Sequence, residues 1–257
     1  MERINVDGPV VSIITPCYNA EMFIRDTIES ALNQTFSNWE MVIVDDGSTD
    51  RTVQIVESYA SQDERIRLIQ LEKNSGPAVS RNTAIQHARG RYLAFLDSDD
   101  QWLPEKLERQ LEFMQKRNVA FSFTSYKTMT EDGSETGKVV NVPENVDYHE
   151  LLKQNVIGCL TVMLDREKTG HVQMVNMRSR QDYALWLHLC KRGFMAYGLQ
   201  DVLAKYRVVH NSVSHNKWKM AKQNWRLYRE NEKLSFVKSG WYFMHYVWRS
   251  LKKYLSK

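Results

Sequence analysis

Four short apolar runs separated by helix-period segments fill the first hundred residues, and this alternation constrains the fold more than any other feature. Val10 to Thr15, Glu40 to Val44, Ile66 to Leu71 and Tyr92 to Leu96 have the length and branched or aromatic content of buried strands. Ala20, Phe23, Ile24, Ile28, Ala31 and Leu32 recur at helical spacing, and Thr49 to Tyr59 and Pro77 to Ala88 each suit a helix. Such a βαβαβαβ order implies a mostly parallel sheet with helices on both faces. Ligands of these sheets sit beyond the carboxyl ends of the strands. Here those ends carry Pro16 to Asn19, Asp45-Asp46-Gly47-Ser48 and Asp97-Ser98-Asp99-Asp100, so three polar clusters converge on one edge.

The remainder is less regular. A charged helix is expected from Glu105 to Arg117, a strand from Ala120 to Tyr126 and a hairpin turn at Glu131 to Ser134. Further on, Cys159 to Leu164 reads as a strand, Gln181 to Cys190 as a helix, and Met195 to Leu199 with Val202 to Val208 as a strand pair. The 257 residues, 42% of them hydrophobic, suffice for one body with two lobes. Cys17, Cys159 and Cys190 are widely spaced and show no zinc or redox pairing, which points to packing roles in a reduced compartment. The polar start and the short apolar stretch after it carry no mark of export.

Charge is divided along the chain. Residues 217 to 257 hold 11 Lys and Arg against 2 Asp and Glu, whereas the first 216 hold 24 against 29, so a +9 tail follows a −5 body. On a helical wheel, Trp241, Phe243, Met244, Val247, Trp248, Leu251, Tyr254 and Leu255 form an apolar arc. His245, Arg249, Ser250, Lys252, Lys253 and Lys257 share the other side. This pattern suits an anionic bilayer surface, reached through residues 239 to 257. A helix docked on the body or on a partner subunit has the same pattern. Nucleic acid is not expected as a partner, because the aromatic residues segregate from the lysines instead of interleaving with them as stacking platforms do.

The acidic cluster Asp97 to Asp100 marks phosphate chemistry. Carboxylates this close repel one another, and a hard divalent cation bridging a diphosphate relieves the repulsion. The turn after the first strand contains no glycine and no Walker-type loop ending in Gly-Lys occurs, which disfavours NAD enzymes and P-loop NTPases. A carboxylate at the end of the second strand can accept from a ring imide N–H, and Tyr18 can stack on a base, so a uracil nucleoside is a sensible ligand. Read singly, Tyr18 is equally well a rim aromatic and Asp97 to Asp100 a capping turn.

Five segments in register extend this reading: Ser12 to Ala20 (SIITPCYNA), Ala31 to Phe36 (ALNQTF), Val42 to Asp50 (VIVDDGSTD), Asn74 to Asn82 (NSGPAVSRN) and Phe95 to Asp100 (FLDSDD). Together they resemble the inverting family 2 glycosyltransferases of the GT-A fold. Ile157 to Val162 and Gln181 to Trp186 look like the acceptor half of bacterial surface-polysaccharide transferases, including those of teichuronic acid synthesis. The resemblance implies a mixed, mostly parallel α/β sheet flanked by helices and followed by amphipathic C-terminal helices. Its parts would be a nucleotide-sugar half (1–105), an acceptor half (106–212) and a basic helical tail (213–257).

The resemblance also assigns roles. Asp46 would recognise the base, with Tyr18 and the Pro16 backbone beside it, and Asp45 would support that loop or contact the nucleoside. Arg81 would neutralise diphosphate charge or brace the acidic loop. Asp97 would face the ribose or the metal shell, Asp99 would ligate Mn²⁺ or Mg²⁺, and Asp100 would support them or cap a helix. Asp182 matches the acid of the family's (E/Q)D motif and is the expected general base, unless it only caps its helix. Arg207, His210 or Lys217 would reach phosphate or metal from a flap, with His210 read more readily as a satisfied surface or core histidine than as a ligand.

The implied activity is metal-dependent transfer from a UDP-sugar to a lipid-linked or oligosaccharide acceptor in cell-surface polysaccharide synthesis. The expected location is cytoplasmic, peripheral on the inner face of the membrane. Two alternatives differ in class. A nucleotidyltransferase would open with a glycine- and arginine-rich loop, which is missing; an inactive nucleotide-sugar-binding scaffold would be expected to lose Asp99 or Asp182, and both are present.

Overall fold

The computed structural model describes residues 8–177, 179–209 and 217–255. Its first third runs β1 (Val11–Cys17), α1 (Ile24–Leu32), β2 (Trp39–Asp45), α2 (Thr52–Ala60), β3 (Ile66–Gln70), α3 (Pro77–His87) and β4 (Tyr92–Phe95). The four strands are parallel in the order β3-β2-β1-β4, with Val11 opposite both Trp39 and Tyr92. Every residue of β1, β2 and β4 is buried, because helices cover both faces; that is why these strands read as continuous apolar runs. Alternate residues nevertheless serve different cores. Ile14, Val42, Val44, Leu93 and Phe95 face one core, and Ile13, Met41, Ile43 and Ala94 face the core shared with Ile24 and Ile28 of α1.

The chain continues through β5 (Gln101–Trp102), α4 (Lys106–Arg117), β6 (Phe121–Met129), β7 (Glu135–Val140), β8 (Asn145–Val146), α5 (Tyr148–Lys153), β9 (Met163–Asp165), α6 (Arg166–Thr169), α7 (Gln181–Lys191), β10 (Ala196–Arg207), α8 (Lys217–Arg226) and α9 (Phe236–Leu255). The sheet extends from β4 through antiparallel β9 to β6, then parallel β10 and antiparallel β5. The hairpin strand β7 lies on β6, and β8 lies on β10.

Three local expectations are corrected. The Cys159 to Leu164 strand is a 3₁₀ turn over Cys159–Thr161 followed by the shorter β9, because Gly158 O accepts both the Thr161 N–H (3.0 Å) and its hydroxyl (2.7 Å). The expected pair around Gln200 is one strand. β10 pairs with β6 on both sides of that point, and two register shifts absorb the extra residues as bulges instead of reversing the chain. The helix expected from Thr49 starts at Thr52, whose N–H and hydroxyl are taken by the Asp50 carboxylate at 3.0 and 2.6 Å.

The tail helix α9 is docked. Tyr242 Oη hydrogen-bonds His149 Nδ1 at 2.8 Å, Arg249 pairs with Glu150 at 3.2 Å, and Trp225 of α8 meets the rings of Phe236 and Phe243 edge-on. The expected apolar arc is therefore split: Phe243 is partly buried, whereas Trp241, Met244, Val247, Trp248 and Leu251 stay exposed, with Val237 extending the stripe by a turn. Among the described residues, no helix is long and apolar enough to cross a membrane.

Candidate active site

A cavity of about 480 Å³ opens at the carboxyl ends of β1, β2 and β4, and the N-terminal end of α7 closes it from the other half of the sheet. Its wall includes Pro16, Tyr18, Asp46, Arg81, Asp97, Asp99 and Asp182, whereas Asp45, Asp100 and Arg207 do not line it.

Asp45 lies behind the wall. It is buried, accepts from the N–H groups of Gly47 and Ser48 at 3.1 and 2.9 Å and from the Ser48 hydroxyl, and so shapes the turn after β2. Gly47 takes φ +76° there, and a Cβ would fall 3.1 Å from Asn74 N, so the turn needs glycine. Asp46 reaches across to the loop before α3, where its two oxygens accept the N–H groups of Ser75 and Gly76, each at 2.8 Å. It buttresses that loop while its carboxyl remains on the cavity wall. Tyr18 is half exposed at the rim.

Arg81 projects from the buried side of α3 and pairs with Asp97; its Nε and Nη1 are buried with no partner among the described residues. Burial works against its charge, yet Asp97 and the more distant Asp182 hold the guanidinium above its ordinary range. Unsatisfied donors of this kind on a cavity wall suit a further anion.

The three aspartates after β4 separate cleanly. Asp97 and Asp99 line the cavity; burial, and then the charge of Asp97, pushes the Asp99 carboxyl up to about 6. Asp100 turns away. It accepts the Arg207 N–H at 2.9 Å, its carbonyl takes the Thr27 hydroxyl at 2.8 Å, and burial followed by its two acidic neighbours raises it well above the carboxylate range. It caps no helix: the chain enters β5, and α4 begins only at Lys106. The two cavity carboxylates match the donor set of a hard cation that completes its shell with phosphate oxygens and water. No group of three or more His, Cys, Asp or Glu side chains placed to hold a metal exists among the described residues.

Asp182 sits in the first turn of α7 inside the cavity, and α7 has no side-chain cap. Burial raises its carboxyl, partly offset by Arg81 and Arg180. The preceding Arg180 adopts φ +66°, a left-handed conformation that costs a non-glycine residue energy. Arg180, Ser179, Cys159, Tyr206 and Met220 also line the cavity and were missed from sequence. The strained Arg180 beside Gln181-Asp182 carries the one signal that could have been read, as a cation adjoining the acidic motif. Arg207, expected on a flap, is buried: its guanidinium donates to Asp99 O, Glu131 O and Asp26, over the ring of Phe23. His210 lies outside the described residues, and Lys217 opens α8.

Comparison with known proteins gives the same reading. The family model described as "Glycosyl transferase family 2" matches residues 12–207. TuaG of Bacillus subtilis (strain 168), named for teichuronic acid biosynthesis, is 55% identical over 247 residues, covering 96% of this chain and 98% of its own. The Escherichia coli protein WfgD, a UDP-Glc:alpha-D-GlcNAc-diphosphoundecaprenol beta-1,3-glucosyltransferase, is 38% identical over 254 residues, or 97% of this chain and 96% of its own. Among solved structures, S. aureus TarS 1-349 in complex with UDP superposes with a TM-score of 0.67 at 22% identity, covering 92% of this chain and 70% of that one. A mannosyltransferase from Pyrobaculum calidifontis in complex with GDP-Man and Mn²⁺ gives 0.66 at 19%, covering 89% and 65%. With the matched segment spanning most of the sheet and both sides of the cavity, the chain belongs to glycosyltransferase family 2 and is a glycosyltransferase with the GT-A fold.

Proposed function

We propose that the chain moves a sugar, with inversion, from a uridine diphosphate sugar to a saccharide acceptor carried on a lipid diphosphate, in the synthesis of a cell-surface polysaccharide. The observation that carries this reading is one cavity that joins an aromatic and carboxylate rim, a guanidinium with two unused donors, a carboxylate pair and a buried carboxyl. Tyr18 and Asp46 provide the stacking face and the acceptor that a uracil ring needs. Arg81 takes phosphate oxygens with its unused N–H groups while Asp97 fixes its orientation.

Asp97 and Asp99 would hold Mn²⁺ or Mg²⁺, which when bound supplies positive charge at the departing diphosphate. Asp182 accepts the proton of the acceptor hydroxyl as that oxygen attacks the anomeric carbon, and the raised affinity of its carboxyl for protons suits a base. The relatives support the donor and acceptor classes: TarS was solved with UDP and with UDP-GlcNAc, and WfgD acts on a diphosphoundecaprenol-linked sugar.

We place the enzyme peripherally on the cytoplasmic face of the membrane. The exposed stripe Val237, Trp241, Met244 and Leu251 of α9, within a tail of excess positive charge, supports an anionic bilayer as its seat. The test of the chemistry is a panel of UDP-sugars turned over by the purified chain, with the anomeric configuration of the product read by NMR. Inverted product, abolished in Asp182→Asn, is expected; retained configuration or undiminished turnover in that variant would overturn the mechanism.

A further inference from the structure

A second cavity, about 670 Å³, lies on the acceptor side of the sheet between β6, the loop after β7, the 154–158 loop and α9. None of its lining residues belongs to the catalytic wall. Its lining pairs the rings of Tyr126 and Trp248 with the amides of Asn141, Gln154 and Asn155 and the guanidinium of Arg249. Aromatic faces beside planar amides match a sugar ring, whose C–H face stacks while its hydroxyls both donate and accept. The volume falls in the range of small-ligand sites.

The two cavities share a thin wall. Gly158 lines the second and Cys159 the first; Tyr126 lines the second and its ring meets Tyr206, which lines the first, edge-on at 6.1 Å. Gly158 sits tightly in that wall: a Cβ there would stand 3.3 Å from Leu160 Cδ2, which would have to give slightly, and in ordinary contact with the Tyr126 ring at 3.5 Å. The far side is held in place by α9, where Arg249 is paired with Glu150 and Tyr242 with His149. The catalytic cavity must already take nucleoside, diphosphate and donor sugar, so the rest of an acceptor glycan needs room next door.

We propose that this second cavity is an acceptor subsite that binds a saccharide unit of the acceptor beyond the one receiving the new sugar, with Trp248 as its stacking platform. The proposal rests on the transferase reading above and assigns to the tail helix a role in glycan recognition separate from any membrane seat.

The test is saturation-transfer NMR on the full chain with UDP and Mg²⁺, comparing glucose and N-acetylglucosamine with cellotriose, maltotriose and chitotriose. UDP affinity is measured in parallel by calorimetry. At least one trisaccharide should bind more tightly than its monosaccharide, and Trp248→Ala should weaken it roughly tenfold, the upper range for a lost aromatic stack. Gln154→Ala, which removes a surface amide and no ring, should weaken it in the same direction, and neither variant should alter UDP affinity. Trisaccharides that bind no better than monosaccharides, or that ignore both substitutions, would overturn the subsite. Loss of UDP binding by the unmodified chain would instead sink the transferase reading, leaving a Trp248-dependent saccharide site standing.

Discussion

In the proposed mechanism Asp182 and Asp99 carry the chemistry, and each lies where the fold raises its proton affinity. For Asp182 the dominant cause is burial, so more of the carboxyl is protonated at a given pH than for an exposed aspartate. A base must be ionised, so the acidic limb of kcat/KM is expected above the ordinary carboxylate range. Gln181→Glu places a second negative charge beside it and should move that limb further up; an unmoved limb would refute Asp182 as the base. Asp182→Asn should lower kcat by about 10² to 10⁴ while UDP affinity holds, measurable by single-turnover transfer and calorimetry. The other acidic residues divide between wall and support. Asp45 was expected to support its loop or contact the nucleoside and Asp100 to support the acidic pair or cap a helix, and both lie behind the cavity wall, holding the turn after β2 and the Arg207 backbone. What separates them from Asp46 and Asp99 is which side chain the turn after each strand directs into the sheet edge.

At the scale of elements, Arg207 ties the site together. From the end of β10 it links the acidic loop after β4, the β6–β7 turn and Asp26 of α1, in place of the phosphate contact that its neighbourhood in sequence suggested. Arg207→Met should cost about 2 to 4 kcal/mol by leaving two carbonyls without their donors. It should also weaken metal-dependent UDP binding, whereas Asp100→Asn, which keeps an oxygen for the Arg207 N–H, should leave both nearly unchanged; thermal melts with and without UDP and Mg²⁺ separate the two.

Glu40 plays the corresponding role away from the site. Burial opposes its charge, but the Arg89 N–H, Ser12, Arg67 and the Arg89 side chain hold its carboxyl below the ordinary value. A depressed acid contributes stability above its unfolded pKa that is lost as pH falls through the folded value. Glu40→Gln should therefore flatten the acid side of the melting profile, and an identical profile would contradict this role. The parallel strands were legible because continuous apolar runs of their length have few other fates. β10 was not, because a bulge and a hairpin turn both interrupt an apolar run, and only pairing with β6 distinguishes them.

For the whole molecule, the proposed membrane seat and acceptor subsite both place demands on the tail helix α9. Its amphipathic character was legible, but a core-facing stripe and a bilayer-facing stripe look alike in sequence, and α9 has one packed side and one exposed side: Tyr242 and Phe243 pack on the body while Trp241 and Met244 are exposed. Because α9 helps close the core, point substitutions test its surface better than deletion. Trp241→Ser with Met244→Ser should leave the melting temperature and turnover of soluble acceptors nearly unchanged and reduce sedimentation with phosphatidylglycerol vesicles; unchanged sedimentation would remove the membrane role.

The proposed mechanism turns on a metal-dependent uridine diphosphate site built on Asp99 at the sheet edge. Calorimetric titration of UDP into the chain, with and without Mn²⁺ or Mg²⁺, tests it most directly. UDP should bind tightly only with the cation, Asp99→Asn should lose that dependence, and CMP, NAD and ATP should give no comparable response. Binding indifferent to the cation, or equal in Asp99→Asn, would contradict it.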